Sequence, residues 1–183
     1  MSNLKDVPKK IHLLRTALNL FKKHDFSIGV DTIIKKSEVA KMTFYYNYDS
    51  KEYLINECLK YELDSQKKLI NDNIDHDYLG IHNLKTIFIL HLDFISNNNI
   101  NGSLFAKAKI SLGENEDILE TVNAYSDWKI KLIENQLSLI NENTARVKAD
   151  IFFNFLEGLQ VGYKIENNHE NIWLCFEKIF LNN

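Results

Sequence analysis

Six side chains between Lys41 and Lys51 have the types and spacing to grip a polyanion and to read it. Lys41 can reach a phosphate or a guanine edge, and Met42 and Thr43 can touch a base, including a thymine methyl. Tyr45 and Tyr46 offer phenolic donors to phosphate oxygens. The ring of Tyr45 can at the same time pack inward, since a tyrosine has an apolar body and a polar tip. Lys51 falls at the expected start of a helix, where its charge and the free amide groups would act together on one phosphate. Contacts to phosphate supply affinity and register, and contacts to base edges supply sequence choice. The set therefore has both halves of what double-stranded DNA recognition requires.

Little else in the chain has the pattern of chemistry. Cys58 and Cys175 lie far apart at helical positions without a basic neighbour to lower a thiol pKa, and are expected to be a reduced, buried pair. There is no nucleophile–base pairing, phosphate loop, metal cluster or pair of carboxylates at a workable spacing, so the sequence predicts no enzyme, no cofactor and no metal. His91 sits on an apolar helical face. It is either a core histidine with a satisfied hydrogen bond or a polar group set in a ligand cavity. His12 lies beside an apolar stripe and is expected to be solvated. Lys9, Lys10 and Arg15 suit a phosphate or a solvated face equally.

The elements that must position these groups are helices. Val30–Lys36 predicts a short helix with Val30, Ile33 and Ile34 on one side, Ser37–Ala40 a turn, and Lys41–Tyr46 a second short helix with Phe44 facing in. Tyr48 joins Phe44 in the core. Asp49 or Ser50 caps a third helix, with Glu52 placed for a capping box from Asp49. Two helices this short bury little alone, but the second can be held out into a major groove. Ahead of them, Ile11, Leu14, Leu18 and Phe21, widened by Ala17 and Leu20, predict a supporting helix that opens after Pro8.

This segment resembles the helix-turn-helix of the TetR/AcrR family of bacterial transcriptional regulators. The resemblance rests on Ile11, Ala17, Leu20, Phe21 and Phe26, and on Lys41, Thr43, Phe44, Tyr45, Tyr46, Tyr48, Ser50, Lys51, Glu52 and Leu54. It covers about the first third of the chain. Glu38 stands where the family usually has a turn glycine, and His24-Asp25 replaces the usual glycine before the aromatic. The resemblance implies that Tyr45, Tyr46 and Lys51 are backbone anchors. It also implies a homodimer on a palindromic operator, acting as a repressor released by a ligand in the body. The alternative is the same fold acting as a protein-interaction module without an operator.

Composition agrees with a helical protein. One proline and six glycines in 183 residues leave room for long uninterrupted helices. No apolar run reaches the length of a membrane span and the N-terminus lacks an apolar signal core, so a cytoplasmic location is expected. Residues 1–50 carry nine Lys/Arg against five Asp/Glu, while the remainder carries thirteen against twenty. A basic head on an acidic body suits a chain that sets only its N-terminal face on DNA.

The expected fold is therefore all-α: a three-helix head over residues 1–50, a linking helix from about 50 to 72, and a helical bundle over 73–183. In the bundle, Leu84, Ile87, Phe88, His91, Leu92 and Ile95 predict a central buried helix. Ser103–Leu112 predicts a short apolar helix, and Ile118, Val122, Tyr125, Trp128, Leu132 and Leu139 stripe a long one. Thr144 to about Glu166 and a final helix follow. Phe88, His91, Phe105, Tyr125, Trp128 and Phe155 are expected to wall a cavity for a small apolar or aromatic ligand. Gly158 and Gly162, one turn apart, suggest close approach of another helix. The dimer implied by the resemblance would use the last two helices, through Phe152, Gly158, Leu159, Gly162, Trp173, Phe176 and Phe180.

Overall fold

The computed structural model describes residues 8–75, 80–98, 102–162 and 169–180, and every regular element among them is helical. In chain order these are α1 (Lys9–His24), α2 (Val30–Ser37), α3 (Lys41–Asn47), α4 (Lys51–Asn71), α5 (Ile81–Asn98), α6 (Leu104–Leu112), α7 (Glu116–Ser138), α8 (Ala145–Gly162) and α9 (His169–Phe180). Single 3-10 turns occupy residues 25–27 and 142–144, so Thr144 belongs to a 3-10 turn ahead of α8. The expected end of α8 near Glu166 lies outside the described residues. None of the described helices is long and apolar enough to cross a membrane.

The chain divides into two compact units, residues 1–64 with 104–123, and residues 65–103 with 124–183. The expected boundary near residue 72 is thus displaced. The first unit also takes α6 and the start of α7. Two contacts tie them there: the Lys107 ammonium lies 2.6 Å from the Asp25 carboxylate, and Thr121 donates to Asn56 Oδ1 at 2.6 Å. Both pairs are long-range in sequence, and periodicity carries no information about them.

In the first unit α1, α2 and α3 share one core. Leu13, Ala17, Phe21, Ile33, Phe44 and Tyr48 are at 0% exposure. Burying an aliphatic or aromatic side chain contributes about 1.5–3 kcal/mol, so this shared core holds two helices too short to persist alone. The start of α4 completes it with Leu54, Ile55, Cys58 and Leu59. Polar ties fix the register. Tyr48 Oη donates to the Lys10 carbonyl at 3.1 Å, and Lys22 pairs with the nearly buried Glu62 at 2.8 Å. His12, expected to be solvated, is exposed but also places Nε2 at 3.1 Å from the Ser37 carbonyl at the end of α2. Burial, and then the negative field of Glu57 and Glu62, push the Cys58 thiol well above its ordinary range. Cys175 is exposed, so the expected buried pair is corrected for that residue.

In the second unit the expected central helix is α5. Leu84, Ile87, Phe88 and Leu92 are fully buried against α8 and α9. An aromatic cluster closes the far side, with Phe152 stacked on Phe176 at 4.4 Å between centroids and Phe88 at 5.6 Å from Trp173. Gly80, at φ 80°, turns the chain into α5, a conformation that suits glycine. Its N–H donates to Gln136 Oε1 at 3.1 Å, and the fully buried Asn83 amide donates to the same oxygen at 3.2 Å.

Candidate nucleic-acid interface

The turn between α2 and α3 is set by Glu38, which takes the left-handed conformation at φ 53° and ψ 32°. An L-residue there costs about 1–2 kcal/mol, and the surrounding core holds it. Asp25, the other replacement of a usual glycine, also has positive φ, at 60°. Both positions keep the backbone a glycine would have supplied. The replacement at Glu38 therefore leaves the geometry of the turn intact.

Helix α3 has two faces with opposite fates. Phe44 is fully buried, while Met42 is 85%, Tyr46 89% and Tyr45 48% exposed. The ring of Tyr45 meets Phe44 edge-on at 5.1 Å between centroids, so its body packs and its hydroxyl faces out. Thr43 is half-buried, and its carbonyl accepts from the Asn47 amide at 2.7 Å. Lys41 is exposed and lies 3.5 Å from Asp31, a surface pair worth little in water. Five of the six candidates thus stand on this one short helix.

The sixth, Lys51, opens α4. Ser50 rather than Asp49 caps that helix, its Oγ accepting from the Tyr53 amide at 3.0 Å. Lys51 is half-buried and its ammonium donates to the Phe26 carbonyl. It therefore ties the start of α4 to the turn after α1. Arg15 is exposed and donates to Tyr61 Oη at 3.1 Å, and Lys10 lies over the Tyr48 ring at 5.6 Å.

Residues 13–58 match the family model for bacterial regulatory proteins of the tetR family. Over these residues the chain carries a TetR-family segment. Proteins of that family are transcriptional regulators. Solved structures share the fold. A TetR-family transcriptional regulator from Streptomyces coelicolor has a TM-score of 0.80 at 17% identity, over 94% of each chain. A TetR regulator from Legionella pneumophila has 0.79 at 15% identity, over 98% of each. A TetR-like regulator from a Rhodococcus species has 0.76 at 17%, covering 96% of this chain and 98% of that one. No curated protein matches the sequence significantly.

The residues expected to wall a ligand cavity are dispersed. Phe105 lies in the first unit and the other five in the second. Phe88, Tyr125 and His91 are buried, and Trp128 and Phe155 are half-buried. Phe88 stacks on Phe155 at 6.5 Å, and Tyr125 lies 6.4 Å from Trp128. A small pocket of about 20 Å³ in the second unit includes His91 among these, together with Gln66, Leu69, Ile70, Ile87, Leu90, Phe94 and Lys129. Both readings of His91 hold at once: Nε2 is bonded to the Leu156 carbonyl at 2.7 Å, and the residue lines the pocket.

Lys129 was missed by sequence reasoning. It is 2% exposed, with Nζ 3.1 Å from His91 Nδ1 and 3.0 Å from Tyr125 Oη. The signal was present, since Ile118, Val122, Tyr125, Lys129 and Ile133 share one helical stripe. Burial drives its pKa below the ordinary value, opposed by the charge of Glu157. Burial and then Lys129 itself drive His91 well below its own, despite the Leu156 hydrogen bond.

Of the residues expected at a dimer face, Phe152, Trp173 and Phe176 are 1%, 2% and 4% exposed, packed into the unit's own core. Leu159 is half-buried, and Gly158 is exposed with open space where a Cβ would stand. Gly162 ends α8 and Phe180 ends α9, and their surroundings lie outside the described residues. Among the described residues, the large apolar side chains that α8 and α9 leave outward are Val147, Ile151, Leu174 and Ile179.

Proposed function

We propose that the chain is a homodimeric repressor that binds a palindromic operator through α3 and is released by a small ligand held in its second unit. The observation that carries this reading is the division of α3. Phe44 is fully buried while Met42 and Tyr46, two large side chains, stand 85% and 89% exposed one turn apart. Both can meet a partner without disturbing the core beneath them. Together with Lys41, Thr43 and Tyr45 they match what a base-reading and phosphate-gripping helix requires.

In this reading Tyr45 and Tyr46 donate to phosphates, and Met42, Thr43 and Lys41 meet base edges. Lys51 anchors the backbone by exchanging its Phe26 carbonyl for a phosphate. The repressor would work in the cytoplasm, where the operator is. Two copies related by a two-fold axis place two α3 helices on half-sites about one helical turn apart. The outward apolar residues of α8 and α9 suit the contact between copies.

Selection of bound sequences from random duplex DNA tests the proposal. It should enrich a palindrome whose binding weakens steeply with salt, because several phosphates are neutralised. Enrichment of no sequence at low salt would contradict it.

A further inference from the structure

Among the described residues, the charge buried deepest in the second unit meets a carboxylate only at 4.0 Å. Lys129 Nζ donates to Tyr125 Oη at 3.0 Å and to His91 Nδ1 at 3.1 Å. The direction of the second bond is fixed by the ring's other side. His91 Nε2 is 2.7 Å from the Leu156 carbonyl, which can only accept, so the ring hydrogen sits on Nε2 and Nδ1 accepts from the lysine. The carboxylate within 4.0 Å of Nζ is that of Glu157, at the very edge of that range. Its Oε1 is already engaged by the Tyr125 hydroxyl at 2.6 Å and by the Gln160 amide at 3.1 Å. An ammonium here directs two of its three N–H groups at neutral acceptors, and the third has Glu157 Oε1 only at 4.0 Å, too far for a hydrogen bond. A buried cation in that position attracts an anion strongly, because water no longer screens it.

Lys129 and His91 form the polar end of the small pocket, whose apolar walls are Leu69 and Ile70 from α4 and Ile87, Leu90 and Phe94 from α5. Its volume of about 20 Å³ is room for about one water. The outer wall is free to yield, since Leu69 is 40% exposed and Leu90 and Phe94 are half-buried, whereas Ile70 and Ile87 are buried.

We propose that this pocket takes a monocarboxylate with an apolar body, its carboxylate meeting Lys129 and its body spreading Leu69, Leu90 and Phe94. This rests on the reading of the second unit as the effector-binding part. A single negative charge suits the site: a dianion would leave excess charge near Glu157, and a neutral head group would leave the lysine without a close counter-charge. The wall residues Leu69 and Ile70 belong to the same helix that begins at Lys51, so a ligand that spreads the pocket acts on α4 directly.

The test is isothermal titration of the DNA-free full chain with straight-chain carboxylates from butanoate to decanoate, and with the matching primary amides. At least one acid should bind saturably, at one per chain, and more tightly than its amide by about tenfold or more. The preference should vanish in Lys129→Met, which replaces a buried charge by an apolar side chain of similar length and should keep the fold. Lys129→Gln serves as a second variant. Should both variants unfold, the parent still decides: the acid, and not the amide, should slow acetylation of Lys129. The proposal is overturned if no acid saturates, if amide and acid bind alike, or if the preference survives in a folded variant. Titration without DNA separates the two proposals. Carboxylate binding by a chain that selects no operator would sink only the repressor reading, and operator binding without any carboxylate preference would sink only this one.

Discussion

The α3 surface and the Lys129 cluster solve opposite problems. On α3 the large side chains are left in water above a core residue at 0% exposure, so their removal should leave the fold alone and change only what the helix touches. Around Lys129 the polar groups of His91, Tyr125 and Glu157 are bonded to one another, so binding and stability share the same atoms. Substitutions should therefore separate function from folding readily in the first region, and in the second only where the replacement keeps the buried shape, as Lys129→Met does.

The largest expected effect checks the inner face of α3. Phe44→Ala removes a fully buried ring and should destabilise the first unit by about 3–5 kcal/mol, read as a fall in the midpoint of chemical denaturation. A change under about 1 kcal/mol would mean that α3 is not seated on the shared core.

Next in size is the pH dependence of the second region. His91 stays neutral well below its ordinary value of 6.5, so as pH falls through 6.5 the unfolded chain takes up a proton that the folded chain refuses. Stability should thus decline with acid below that pH by up to about 1.4 kcal/mol per unit, over the window down to the lowered folded value. His91→Gln should remove this part of the slope. Equal slopes in parent and variant between pH 6.5 and 5 would show that His91 is not held neutral.

A smaller effect should come from the turn. Glu38→Gly relieves the positive φ in the turn between α2 and α3 and should raise stability by about 1 kcal/mol, measured by thermal melting. A loss of stability would contradict the left-handed assignment at that residue.

How far the sequence revealed these regions follows from the range of the interactions. The bounds of α3 and α4 were legible because turn, cap and apolar period all lie within a few residues of one another. Phe44 and Tyr48 were legible as core for the same reason. The inward role of Lys129 was not, although it occupies the buried stripe of α7, because a lysine in a stripe normally carries its charge out to water. The adjacent Trp128 looked the better wall and is only half-buried. The grouping of α6 with the head depends on Lys107 meeting Asp25 and Thr121 meeting Asn56, pairs that no local pattern announces. At α8 and α9 periodicity marked apolar faces correctly but not which face is turned inward. Phe152, Trp173 and Phe176 went to the chain's own core, and Val147, Ile151, Leu174 and Ile179 stayed out.

The central claim, that the outer face of α3 binds DNA, is tested most directly by Tyr46→Ala. The affinity of the parent and of this variant for the selected duplex should be compared by gel shift or fluorescence anisotropy at fixed salt, with thermal melting of both. The account predicts melting within about 0.5 kcal/mol of the parent together with a loss of affinity of about tenfold or more. Unchanged affinity in a variant that melts like the parent would contradict it.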